Sequence, residues 1–138
     1  IFDIIISTQV LEHVKNPRQF IKESYRVLQD GGILFLTMPF VWPEHEKPFD
    51  FNRFTQYEHK NIFGGAGFDI KSIKSTCGVF GVCGQLISAF VFESIKFKVF
   101  KLVASVLICF PIQTIFMFFD LVFKKSGITL DYVVIAKK

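Results

Sequence analysis

Apolar positions near the start of the chain fall into two dense runs separated by a periodic stretch. The first run, Phe2-Asp3-Ile4-Ile5-Ile6, is rich in β-branched residues and barely alternates, the pattern of a strand buried on both faces. It ends in polar Ser7-Thr8-Gln9. A run that opens the chain with no lead-in reads as a strand already in progress, so the sequence is expected to be a fragment beginning inside a fold. Val10 to Val14 is a short turn. Asn16-Pro17 then starts a helix, with Asn as N-cap, Pro in the first helical position and Gln19 three residues on as in a capping box. Ile21, Tyr25 and Leu28 recur at i, i+4 and i+7, while Lys22, Glu23 and Arg26 take the opposite side. Asp30-Gly31-Gly32 is expected to end that helix. Ile33 to Met38 is a second buried run, closed by Pro39. Strand, helix and strand joined this tightly form the βαβ unit of a parallel sheet.

Beyond Pro39 the pattern loosens. Phe40 to Phe54 is aromatic and loop-like. Thr55-Gln56-Tyr57-Glu58 is a capping box opening a short helix, stopped at Gly64-Gly65-Ala66-Gly67. Phe68 to Ser75 reads as a third strand and Thr76 to Gly84 as a glycine-rich turn. Residues 85–125 are apolar and helical, interrupted by Pro111, and Tyr132 to Ala136 is a last strand. The fold class is α/β. A sheet portion (1–84 and 128–138) is interrupted by an apolar helical insertion (85–127).

Composition sharpens this picture at one point. The 138 residues are 51% hydrophobic and 20% charged, which excludes a disordered tail. Three scattered cysteines are too few for a disulfide scaffold and fit a reducing compartment. The 19 phenylalanines are more than a small domain hides easily, so part of the chain is expected to meet lipid or a partner. Leu102 to Phe119 gives eighteen residues without a charge, flanked by Lys96, Lys98 and Lys101 before and Lys124 and Lys125 after. That reaches the lower bound for a membrane span. A single crossing would leave Tyr132 to Ala136 on the wrong side of the membrane, so the expectation is a hairpin bent near Pro111. It would lie in a membrane interface through residues 96–125, with a buried helix pair or an oligomer contact as the soluble alternatives.

The ordered residues Phe2-Asp3-Ile4-Ile5, Val10-Leu11-Glu12-His13-Val14, Pro17, Glu23, Arg26-Val27-Leu28 and Gly31-Gly32 resemble the second half of class I S-adenosylmethionine-dependent methyltransferases, closest to the type 11 branch. His45-Glu46-Lys47-Pro48-Phe49-Asp50-Phe51-Asn52-Arg53-Phe54-Thr55 and Ala66-Gly67-Phe68 continue the likeness to about residue 75. The resemblance implies a Rossmann-like sheet ordered 3-2-1-4-5-7-6, of which this chain supplies strands 4, 5, 7 and 6 with the last strand antiparallel. It implies S-adenosylmethionine as cofactor and methyl transfer to a small or lipid-linked acceptor at oxygen. The glycine-rich cofactor loop belongs to the other half, so the 138 residues alone are expected to be inactive. A nicotinamide dehydrogenase is the second enzyme reading, and a non-catalytic or degenerate membrane-associated module the alternative outside catalysis. The expected location is cytoplasmic, peripheral at the membrane.

In open α/β sheets ligands sit beyond the carboxyl ends of the strands. The resemblance therefore assigns Ser7, Thr8 and Gln9 to the methionine side of the cofactor, with Leu11 as an apolar wall. His13 on the same loop is either a general base in contact with substrate or a loop residue bonded to backbone and packed beside Pro17. An oxygen nucleophile needs a base, and His45 or Asp50 qualifies. Arg53 can grip an anionic group, or pair internally with Asp50, and Trp42 adds an aromatic wall. No metal is expected, because His13, His45 and His59 are far apart in sequence without ligand spacing. The net charge of +4, without a stacking surface among the lysines, does not favour nucleic acid.

Overall fold

The computed structural model describes residues 1–123 and 127–138. The lysine flank at Lys124 and Lys125 lies outside the described residues. Four strands, β1 (Phe2–Thr8), β2 (Leu28–Pro39), β3 (Asp69–Ser75) and β4 (Asp131–Lys137), form one mixed sheet. Their order is β1-β2-β4-β3. β1 and β2 are parallel, and β4 runs antiparallel to both β2 and β3. The chain divides into two compact units, 1–76 with 131–138 and 77–130.

In the sheet unit, α1 (Pro17–Val27) and α2 (Gln56–Ala66) connect the strands. Asn16 caps α1 through the Gln19 N–H, and Thr55 caps α2 through the Glu58 N–H, as the sequence predicts. The Gln19 side chain does not close the capping box; it donates to Glu23 one turn on. Gly64, Gly65 and Ala66 are inside α2, and Gly67 alone, at φ +100°, makes the left-handed stop.

Two expectations are corrected here. α1 ends at Val27, not at the glycine pair, because Leu28 is already extended and begins β2. Gly31 (φ +84°) and Gly32 instead form an irregular start to β2. There the Gly31 N–H donates to the Lys138 carbonyl and the Lys138 N–H to the Gly32 carbonyl. A Cβ on Gly32 would meet the Gln29 carbonyl oxygen at 2.9 Å. The second correction concerns β1, which is not buried on both faces. Leu34, Leu36 and Met38 of β2 and Val134 and Ala136 of β4 join Ile21, Ile62 and Phe63 in one core. The opposite parity, Phe2, Ile4, Ile6 and Ile33, is exposed. An unalternating run signals apolar neighbours on both faces, but α1 and α2 cover only one.

In the second unit, α3 (Val79–Ser94) and α4 (Lys98–Val122) form a helical hairpin. Thr76 to Gly84 is therefore not a turn throughout: α3 begins at Val79 and contains both Gly81 and Gly84. These glycines serve packing. A Cβ on Gly84 would lie 2.7 Å from the Phe116 Cβ on α4. Nor does the hairpin bend at Pro111. The reversal falls at residues 95–97, and α4 runs through Pro111. A π-turn at Ser105–Cys109, in which the Phe110 N–H reaches the Ser105 carbonyl, gives the proline ring its room.

His59 occupies the core of the sheet unit. It is fully buried among Phe54, Phe63 and Tyr132, and neither ring nitrogen has a hydrogen-bond partner. Burial pushes its pKa down to about 4. The neutral ring is favoured in the fold, so its contribution is complete above the unfolded pKa of about 6.5 and is lost as pH falls towards about 4. The loss is at most about 3.5 kcal/mol at roughly 1.4 kcal/mol per pH unit. We expect His59→Phe to flatten stability between these two pH values, measured as urea midpoints. An unchanged pH profile would place the acid sensitivity elsewhere.

Candidate functional site

Two loops leave the carboxyl ends of the parallel strands β1 and β2, and the structure stitches them together. The first turns sharply at Gln9, whose φ of +53° lies in the left-handed region. Three bonds hold that strained residue. Its N–H donates to the Thr37 carbonyl (3.1 Å), and its side-chain amide donates to Thr37 Oγ1 (3.3 Å) and Asp131 Oδ1 (3.1 Å). A single 3₁₀ turn, Leu11–His13, follows. The second loop folds back over it. The N–H groups of Phe51 (2.8 Å) and Asn52 (3.2 Å) both donate to the Glu12 carbonyl, and Asn52 Nδ2 donates to the Val14 carbonyl (2.8 Å). Asn52 was not singled out by sequence. Its signal was the need to satisfy backbone carbonyls in a loop that packs on another loop.

This stitching brings residues distant in sequence into contact. The rings of His13 and His45 meet edge to face with centroids 4.8 Å apart. His13 Nδ1 donates to the Phe49 carbonyl at 2.9 Å, leaving Nε2 towards Glu12 (3.7 Å) and Glu46 (3.8 Å). His45 Nδ1 faces two acceptors, the Pro43 carbonyl and Asp50 Oδ2, both at 3.3 Å. Two acceptors keep the proton on Nδ1 and leave Nε2 as the basic nitrogen. Asp50, almost fully buried, takes a two-pronged ion pair from Arg53, at 2.5 Å (Nη1–Oδ1) and 2.7 Å (Nη2–Oδ2), and accepts the His45 N–H at 3.1 Å. The Arg53 hydrogen bonds hold the Asp50 carboxyl well below the usual carboxylate range, against the opposing effect of burial. The same pair raises the Arg53 pKa.

Glu12 was quoted only as part of a motif. In the structure its side chain is wholly buried, and neither carboxylate oxygen has a hydrogen-bond partner. Burial raises its pKa, while the nearness of its own backbone N–H and of His13, His45 and Arg53 pulls the other way. Glu12, His13 and His45 each offer one ligand atom, and these atoms lie within 4.8 Å of one another. Separation in sequence therefore did not translate into separation in space. The set could take up a proton, or close around one cation.

The remaining sequence candidates lie nearby. Ser7 is buried with an unpartnered Oγ, and Thr8 is exposed at the end of β1. Leu11 is buried in the core beneath the loop. Trp42, partly exposed, lines an open cavity of about 210 Å³ with Glu44, Asp50, Phe51, Asn52 and Arg53.

Residues 1–36 match the model of a methyltransferase domain family. A probable S-adenosylmethionine-dependent methyltransferase of Mycolicibacterium smegmatis is 30% identical over 88 residues, 59% of this chain and 33% of that protein. The mitochondrial ubiquinone biosynthesis O-methyltransferase of Rattus norvegicus is 47% identical over 36 residues, 26% of this chain and 10% of that protein. The chain thus spans at most a third of the length of these relatives. The crystal structure of an S-adenosylmethionine-dependent methyltransferase from Mesorhizobium loti superposes with a TM-score of 0.58 at 13% identity, covering 99% of this chain and 62% of that one.

Removing Arg53 leaves the nearly buried Asp50 charge uncompensated. We expect Arg53→Ala to destabilise the fold by about 3 kcal/mol and the double variant Arg53→Ala/Asp50→Asn to recover much of it. Chemical denaturation of all four proteins in the cycle measures this. Equal additive losses would show that the pair is not coupled.

Proposed function

Because the chain carries part of a class I S-adenosylmethionine-dependent methyltransferase domain, we propose that it supplies the acceptor side of a methyl-transfer site, acting on the oxygen of a small or lipid-linked acceptor. The four strands stand as strands 4, 5, 7 and 6 of the parent sheet. The observation that carries the reading is the convergence of two strand-end loops on His13, His45 and Asp50, at the edge where open α/β sheets take ligands.

S-adenosylmethionine, when bound, supplies a sulfonium methyl. The unpartnered Ser7 Oγ at the end of β1 fits a polar ligand there. Ser7, Thr8 and the Gln9 backbone would hold its methionine end, over a floor supported by Leu11. His45 Nε2 takes the proton from the acceptor hydroxyl. Asp50 is a positioning residue, since a carboxylate held so far below its usual range is a poor base near neutral pH, but it fixes the imidazole through Nδ1. Trp42 and His13 border the acceptor, and Arg53 reaches it only with the part of its guanidinium that Asp50 leaves free. The mutual saturation of Asp50 and Arg53 also suits a second reading, a non-catalytic module whose loop is merely pinned.

The test extends the chain upstream through its coding sequence and measures cofactor binding by calorimetry and methyl transfer with labelled cofactor. We expect binding and turnover in the longer protein and neither in the 138 residues alone. In the longer protein His45→Ala should lower kcat by about 100-fold with cofactor affinity unchanged. Loss of cofactor affinity in that variant would refute the base assignment. A longer protein without affinity would favour the non-catalytic module.

A further inference from the structure

The helical hairpin of α3 and α4 is built inside out. In a water-soluble helix pair the apolar side chains face inwards. Here they face outwards: Phe90, Phe100, Leu107, Phe110, Phe118 and Leu121 are 62–73% exposed. The contact between the helices is instead rich in small and polar residues, with buried Val82 and the Phe80–Phe119 ring pair beside them. Gly81, Gly84 and Ser88 on α3 are buried. The amides of Gln85 and Gln113 bond each other across the pair at 2.8 Å, and Cys109 Sγ reaches the Ser88 carbonyl at 3.6 Å. Small residues that bring backbones close, joined by an interhelical amide pair, are the contact chemistry of helices packed in lipid.

Three hydroxyls elsewhere on the hairpin are satisfied within their own helices, although the buried Ser88 Oγ has no partner. The hydroxyls of Ser94, Ser105 and Thr114 each donate to the carbonyl four residues earlier on their own helix, which removes the need for water. Asp120, the acid of α4, accepts the N–H groups of Gly78 and Phe80 at the start of α3. Its charge is thereby held at the base of the hairpin, against the positive end of a helix. At the opposite end, around the reversal at 95–97, stand Lys96, Lys98 and Lys101, with the Lys101 ammonium 4.4 Å from the centre of the Phe92 ring. Nothing charged lies between Lys101 and Asp120.

Lengths match a bilayer. The 25 residues of α4 span about 37 Å and the 16 of α3 about 24 Å, at roughly 1.5 Å per residue. The hydrocarbon core is about 30 Å thick. The shorter helix is completed by the lysine stems at the reversal, which extend to headgroup depth. Connectivity fits as well. The hairpin leaves β3 and returns to β4, and those strand ends are paired at Ser75 and Tyr132. Two crossings therefore return the chain to the side it left, which a single span cannot do.

We propose that α3 and α4 insert as a pair into a phospholipid bilayer, with Cys77 and Leu130 on one side and the Lys96–Lys101 tip at the opposite headgroups. The occupant of the apolar surface is lipid rather than a second copy of this chain. The insertion needs no step of methyl transfer, and its test reads topology rather than activity, so the two can fail separately.

The protein is synthesised cell-free with vesicles of phosphatidylcholine and phosphatidylglycerol, in a background where Cys77, Cys83 and Cys109 are replaced by serine or alanine. Single cysteines are placed at Lys71→Cys on β3 and Phe97→Cys at the tip. Both float with the vesicles and resist carbonate extraction if the hairpin inserts. A membrane-impermeant maleimide then labels Lys71→Cys from outside, but labels Phe97→Cys only after the vesicles are opened. Leu107→Arg, at an exposed position away from the helix contact, should lower the floated fraction about ten-fold, whereas Lys71→Glu should not. Immediate labelling of Phe97→Cys in floated protein would overturn the crossing. So would a protein that remains soluble without detergent, whether as a monomer or as a defined oligomer.

Discussion

The structure depends on where the last strand goes. β4 enters the sheet between β2 and β3, pairing antiparallel with both. Neither β3 nor β2 has another neighbour on that side, so the sheet is continuous only because residues 131–137 fill the slot. The pairing also brings Tyr132, Val134 and Ala136 into the core face. It obliges everything from 77 to 130 to leave and return at adjacent points. The long apolar excursion is thus a hairpin for a topological reason, before any question of what surrounds it.

The two units solve opposite solvent problems with the same residue types. In the sheet unit apolar parity is collected on one face under α1 and α2, and glycine serves at positive φ, as at Gly31 and Gly67. In the hairpin glycine serves close helix approach, and the polar side chains meet one another. A helix contact rich in glycine, serine and glutamine beneath an exposed coat of phenylalanine and leucine is unfavourable in water, where the hydrophobic effect rewards burying the large apolar side chains. It is favourable where the surroundings are themselves apolar.

The site rests on an unequal pair of carboxylates. Asp50 has Arg53 and the His45 N–H as donors and stays ionised, whereas Glu12 is buried without a hydrogen bond and burial raises its pKa. Both lie beside His45. One acid that orients an imidazole and another that resists ionisation give the loop pair two distinct proton environments beside one imidazole.

Sequence alone determined the strands, the caps at Asn16 and Thr55 and the apolar character of the excursion. Each follows from local periodicity or capping chemistry, which acts over a few residues. It also pointed to both strand-end loops, because chemistry-bearing residues cluster there. Tertiary structure decided what local pattern cannot express. Gly31-Gly32 looked like a helix stop because glycine suits one, but the pairing of the chain end with β2 claimed it. Gly84 reads as part of a turn because its partner, Phe116, sits more than thirty residues away on α4. Pro111 looked like a bend because the π-turn that accommodates it depends on backbone hydrogen bonds and not on residue type. The meeting of His13 with His45, the burial of Glu12 and the clamp by Asn52 all arise from one loop folding over another. Such contacts join residues whose separation along the chain carries no information about their separation in space.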